Sequence, residues 1–398
     1  MNILKRINRC DLFILIWALY YLQGVLYSPG IINRILQLII IIWAFIECLN
    51  VLHTKLRSPI LKSLLFLLSM YIIYGSWIIL FGDNITLKGG RAPSDYIYLQ
   101  NSLNSLLPIF LFYRYTKLNL LTHRRIITYT YIFVLVAVLS FYKLQNNLIL
   151  MTGRDEITNN IGYLFVSLIP FVYFFYKRSI TQYILLGFLL LFIFMSMKRG
   201  AILIGTLSTI IFLYTNFKNT NLKKKFVLIL LTSFFLIIGV NYLKKMLETS
   251  DYFVSRIEDT MEGNTSNRDI LYGRLIDAFN EETNILNILF GHGANATIGI
   301  AGNYAHQDWL ETLTNNGIIG CLILFMFYAG IFTTAIKQRN KFQTSMFYSF
   351  ITLFLIVFSK SIFSMSIQDM CIYETLLLGY FTYWSTHEYK LTTNNNIP

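Results

Sequence analysis

The chain has 398 residues, 55% of them hydrophobic and only 13% charged, with a mean hydropathy of +0.55. That composition excludes an ordinary soluble domain and indicates a membrane protein. The formal net charge of +13 would point to nucleic acid in a soluble chain, but here it has a simpler source, because cytoplasmic loops of membrane proteins collect Lys and Arg.

Apolar runs recur along the whole chain, each near the ~20 residues a helix needs to cross a bilayer. They show no period-two alternation, which argues against an outer-membrane barrel. Lys5, Arg6 and Arg9 precede the first run and no small-residue cleavage site follows it, so it reads as a retained anchor. About twelve spans are expected, near 11–27, 31–52, 60–81, 98–115, 126–142, 161–176, 181–197, 201–216, 226–243, 317–336, 344–361 and 370–385. The expected fold class is therefore all-α and polytopic, a single membrane domain over residues 1–398. An even number of spans puts both termini on one side. With the N-terminus cytoplasmic, most of the 33 Lys and Arg fall inward, as the positive-inside rule requires.

Three outward loops are long enough to carry function. The first, 82–97, holds Lys88, Arg91 and Asp95, and the second, 143–160, holds Arg154, Asp155 and Glu156. The third, 244–316, is far longer. Within it, 252–261 and 269–279 have helical patterning and are expected to lie on the membrane as short helices, separated by a turn-rich break at 263–267. The tail 392–398 is polar and expected to be disordered. Cys10, Cys48, Cys321 and Cys371 have neither metal nor redox-pair spacing and are expected as free thiols.

The long loop ends in His306, Gln307, Asp308, Trp309, Leu310 and Glu311, then runs through Gly317 and Gly320 into the next span. His306, Leu310, Leu313 and Gly317 follow helical spacing, so a helix starting at His306 would carry all four on one face. Trp309 suits the interfacial aromatic belt, and the two glycines allow close helix approach. A neutral His there can take a proton from a hydroxyl; a surface or packing histidine is the competing reading. Lys198 and Arg199 are wedged between two spans with almost no loop, where charge is expensive unless it meets a cavity, a partner or headgroups. Arg199 can fork onto phosphate oxygens or simply snorkel, and for Lys198 snorkelling is the favoured reading. Arg154, Arg268 and Arg274 add outward positive charge.

Several motifs fail on inspection. Gly291, Gly293 and the residues around them match a loose dinucleotide fingerprint but follow no strand. His292 and His306 lack a third ligand at zinc spacing. No phosphate-binding loop and no nucleic-acid module is present.

Other features carry a resemblance to a family. His306 and Gln307, then nine residues, Gly317, two residues and Gly320 look like the signature of the bacterial O-antigen ligase and O-antigen polymerase superfamily. Leu310, Glu311 and Leu313 resemble its Leu-Glu-x-Leu step. Residues 287–293 resemble its apolar-Phe-Gly-x-Gly step. Ser196, Met197, Lys198, Arg199 and Gly200 are similar to its Ser-Arg-Gly step, with Lys198 where Ser is usual, and carry over Arg199 as a phosphate contact. Tyr272, Gly273, Arg274 and Leu275 resemble its Ser-Gly-Arg-Leu step; Ser266, Asn267 and Arg268 are a rival match, so Arg274 and Arg268 compete for one role. Arg154 lies where the family can have another functional arginine. Asn315 stands where many members have Glu. The likeness covers about residues 150–335.

The resemblance implies an enzyme of a bacterial inner membrane whose donor is a glycan on a polyprenyl diphosphate in the outer leaflet. His306 would deprotonate the acceptor hydroxyl, and Arg199 with Arg274 or Arg268, joined by Arg154, would hold the diphosphate. The donor is already activated, so no cofactor and no metal is expected, and single displacement inverts the anomeric carbon. The leading expectation is a polymerase of lipid-linked repeat units, with a chain-length regulator as a further partner to consider. The alternatives are a ligase that transfers glycan to lipid A core and, from another class, a transporter or flippase using Glu47 and Glu374 as intramembrane sites.

Overall fold

The computed structural model describes residues 7–26, 30–54, 56–81, 96–152, 158–177, 179–219 and 268–387, with isolated residues between 226 and 244. Among the described residues every regular element is helical. Helices α1 (Arg9–Leu26), α2 (Gly30–Leu52), α3 (Pro59–Phe81), α4 (Tyr96–Lys117), α5 (His123–Thr152), α6 (Gly162–Val172), α7 (Ser179–Met195) and α8 (Arg199–Asn219) come first. Three short helices follow, α9 (Arg268–Asn280), α10 (Ile285–Phe290) and α11 (Ala296–Ala301), and then α12 (Asp308–Lys337), α13 (Thr344–Phe363) and α14 (Ile372–Thr386).

Every expected span except 226–243 falls on a described helix; that one lies almost wholly outside the described residues. Among the described residues six helices (α2, α3, α5, α8, α12 and α13) are long and apolar enough to cross a membrane. Their outer faces expose large apolar side chains, with Leu80 71%, Ile31 69% and Phe66 61% accessible. Water would not tolerate that much exposed apolar surface, but lipid does. Of the two patterned stretches in the long loop, 269–279 is helical as α9; the other, at 252–261, and the break at 263–267 lie outside the described residues, as do the tail 392–398 and the loop residues Lys88, Arg91 and Asp95.

Some hydroxyls inside the bundle are satisfied by their own helix. Ser102, Thr116 and Thr130 each donate to the carbonyl four residues back, which removes their cost in an apolar interior. Close helix contacts form where glycine omits a side chain: a Cβ on Gly379 of α14 would stand 2.7 Å from Ile109 O and Tyr113 N of α4.

One end of the bundle is closed by contacts between the starts and finishes of neighbouring helices. There Asn8 Nδ2 donates to Leu120 O (3.0 Å), Gln338 Nε2 donates to Ser385 O (3.1 Å), and Arg114 pairs with Glu47 at 2.7 Å. The opposite end is hollow.

Helix α12 is broken. Gly317 has φ 67° and ψ −166°, so a half-helix of 308–316 precedes the membrane-crossing part. The break leaves carbonyls without helical partners, and the loop after α10 supplies them: His292 N donates to Thr314 O (2.9 Å) and Gly293 N to Asn315 O (3.0 Å). Gly291 and Gly317 cross backbone to backbone. A Cβ on Gly291 would lie 2.5 Å from Asn315 and Asn316 main-chain atoms, and one on Gly317 would lie 2.5 Å from Leu289 and Gly291. The family-like spacing thus records a backbone crossing. Gly317 admits a loop rather than a second span, whereas a Cβ on Gly320 would meet Met70 of α3 at 3.4 Å.

Candidate functional site

His306 is not the first residue of a helix face. Its φ is 54°, in the left-handed region, and α12 begins two residues later at Asp308. The expected alignment of His306 with Leu310, Leu313 and Gly317 is therefore corrected. The reason is local: Gln307 is extended and caps the helix, its side chain accepting from Leu310 N at 3.2 Å. A left-handed turn before that cap aims His306 away from the helix axis. Trp309 packs between α12 and α13, donating from Nε1 to Ser361 Oγ at 3.1 Å.

Two buried carboxylates fix this segment. Glu311, 4% exposed, accepts from Thr297 Oγ1 (2.7 Å), Asn315 Nδ2 (2.9 Å) and Ala305 N (2.7 Å), the last being the residue before His306. Asn315 completes the link by accepting from Thr297 N at 3.3 Å. Asp308 accepts from Ser366 N and Ile367 N (3.0 and 3.1 Å) and from Tyr328 OH (3.3 Å), which ties the half-helix to the loop between α13 and α14. Each buried carboxyl is held by several hydrogen bonds at once, which fixes its position. His306 therefore stands on a short arm braced at both ends.

That arm faces a cavity of about 750 Å³ at the hollow end of the bundle. Three cations line it with His306: Lys198, Arg268 and Lys360. Arg268 opens α9 and donates from Nη1 to Phe363 O at 3.1 Å. Lys198 sits in the tight turn between α7 and α8, after Met197 at φ 51°. That turn is pinned to the start of α6 by Asn159 N donating to Ser196 O at 2.8 Å. Lys360 is buried in α13, donates to Asp369 O at 2.9 Å, and lies 3.7 Å from Glu374. Glu374 also accepts from Ser167 Oγ at 2.7 Å.

The other walls mix polar, aromatic and aliphatic side chains. Gln37, Asn101, Asn104, Asn160 and Gln368 bring amides, and Trp17, Tyr20, Tyr21, Tyr163 and Tyr304 bring ring faces. Burial pushes the Tyr304 phenol up to about 12, so it remains a neutral donor. Asp369 also lines the cavity, with its carboxyl raised by desolvation. His306 is lowered below 6.5, first by desolvation and then by the charges of Arg268 and Lys198. At neutral pH the imidazole is accordingly uncharged and able to accept a proton.

The structure separates the arginines. Arg268 joins His306 at the cavity. Arg274 is exposed on α9 and is not among the lining residues. Arg199, half-buried at the start of α8, is not among them either; its neighbour Lys198 is. Arg154 lies outside the described residues. Sequence reasoning missed Lys360 and set Lys198 aside. Lys360 had a visible signal, an ionisable residue inside an apolar run. For Lys198 against Arg199 no signal existed, because the twist of a tight turn decides which side chain faces inward. Glu47 and Glu374 are both paired with cations, Arg114 and Lys360. His292 lies 3.5 Å from Glu282, and among the described residues no group of three or more His, Cys, Asp or Glu could hold a metal ion.

No family model matches the chain, and no curated protein does.

Proposed function

We propose that this protein is a polysaccharide polymerase that joins polyprenyl-diphosphate-linked oligosaccharide repeat units at the outer face of a bacterial inner membrane. In this reading about twelve spans cross the membrane and both termini are cytoplasmic. The observation that carries it is the shared cavity: a neutral histidine, Arg268, Lys198 and Lys360 line one hollow together with Asp369, side-chain amides, aromatic rings and aliphatic side chains.

The chemistry follows from those groups. His306 takes the proton of an acceptor sugar hydroxyl, whose oxygen forms a bond to the anomeric carbon of the donor. The bond from that carbon to the diphosphate breaks, and its electron pair leaves on the diphosphate, with inversion. Arg268 and Lys198 stabilise the charge that develops there. Desolvation, reinforced by those same charges, keeps His306 deprotonated beforehand, so the cations that meet the leaving group also favour the neutral base. Amides and hydroxyls bind sugar hydroxyls, and ring faces take their C–H faces.

The test is the surface glycan of a deletion strain complemented with wild type or His306→Ala, with membrane expression verified. The variant is expected to leave the glycan unextended, as a single repeat unit. A normal profile would overturn the catalytic reading and favour transport. Long lipid-linked chains lacking transfer would instead identify a ligase to lipid A core, which would use the same chemistry on a different acceptor.

A further inference from the structure

Beside the main cavity lies a smaller chamber of about 230 Å³, between α1, α2 and α5. The two share Tyr20, Tyr21 and Ile161 as wall residues, so they adjoin one another. The chamber is otherwise lined by Asn33, Ser140, Lys143 and Asn147 with Leu144. No carboxylate is among its lining residues within the described part of the chain.

Two of its polar atoms are buried without a partner, Asn33 Oδ1 and Ser140 Oγ. Ser140 is 2% exposed. Unlike the hydroxyls of Ser102, Thr116 and Thr130, it makes no bond back to its own helix, and of the bundle's unpartnered hydroxyls it is one that lines this chamber. Buried polar groups are normally satisfied, and one left bare costs stability unless something fills the site.

We infer that this chamber is a sugar-binding subsite that adjoins the main cavity and receives glycan units beyond the one held next to His306. The inference rests on the polysaccharide reading of the main cavity and extends it. A sugar ring carries hydroxyls that can donate to Asn33 Oδ1 and both donate to and accept from Ser140 Oγ. The rings of Tyr20 and Tyr21 stand where the two spaces adjoin, and the apolar faces of a sugar can stack on them. A lipid tail in the chamber would leave both polar atoms unpaired. Lys143 at the wall also suits an acidic sugar.

The experiment is equilibrium binding to the full-length protein in nanodiscs. The probes are the lipid-linked repeat unit extracted from a strain lacking the gene, the same molecule trimmed by exoglycosidases to its diphosphate-proximal sugar, and bare polyprenyl diphosphate. Asn33→Leu and Ser140→Ala are assayed separately, each after its melting midpoint is compared with wild type. Each is expected to weaken binding of the intact probe about three- to tenfold, the value of one hydrogen bond, and to shift the trimmed probe less than twofold. Equal weakening of both probes, or none of the intact one, overturns the subsite and leaves the polysaccharide reading standing. Wild type that binds neither glycan probe better than bare polyprenyl diphosphate overturns the polysaccharide reading, and the subsite with it.

Discussion

Glu311→Leu should detach the arm that carries His306. In the native structure the Glu311 carboxylate receives three donors, at 2.7, 2.9 and 2.7 Å, from Thr297, Asn315 and Ala305. Leucine fills much of the volume but accepts nothing. The Thr297 hydroxyl can turn to another acceptor. The Asn315 amide and the Ala305 N–H cannot, and each buried donor left unpaired costs about 1–3 kcal/mol. The expected loss is thus roughly 2–6 kcal/mol, concentrated in residues 296–307 rather than spread over the bundle. Hydrogen exchange read by mass spectrometry reports it directly. A 2 kcal/mol loss corresponds to about a 30-fold rise in exchange, so peptides covering Thr297 and Ala305 should exchange at least that much faster, while peptides from α4 and α14 stay unchanged. Glu311→Asp, shorter by one methylene, should fall between. Unchanged exchange at Ala305 in Glu311→Leu would refute the bracing argument.

Four further outcomes are expected. In steady-state transfer with lipid-linked glycan, kcat/KM should fall as pH drops through the depressed pKa of His306, below 6.5, because the neutral base exists only above it. Arg268→Gln removes one of the charges that lower it, so its acid limb should move to higher pH than wild type; an unmoved limb would show that Arg268 does not act on His306. Arg268→Ala should raise the KM for that glycan by about tenfold or more, the scale of a charge-assisted contact, while Arg274→Ala stays within a factor of two, with a reversed order counting against the assignment. Gly317→Ala forces a side chain into φ 67° against main-chain atoms at 2.5 Å, and should cost about 3 kcal/mol or more, seen as loss of monodisperse protein in detergent.

The apolar runs were legible because lipid imposes one local rule: each crossing segment must satisfy its own backbone in a helix and show apolar side chains outward. The start of α9 and the spacing from His306 to Gly320 were readable for similar reasons, since caps, glycines and short motifs act over a few residues. The helical reading of His306 failed because side-chain periodicity carries no information about one left-handed residue placed ahead of a cap. Asn315, where the family resemblance expects Glu, was read as a departure with no role in view. Its hydrogen bonds to Glu311 and Thr297 place it in the brace.

The sequence by itself determined that the chain is helical and membrane-bound, and that a histidine stands where a long loop enters an apolar helix. Those properties follow from local composition and spacing. Only the tertiary structure decided which cations share a cavity with that histidine. Lys198 and Lys360 are 162 positions apart by their numbers (360 less 198), and Arg199 lies one residue from Lys198 yet off the cavity wall. Helix packing and the hand of a tight turn set those placements, and both depend on partners distant in the chain.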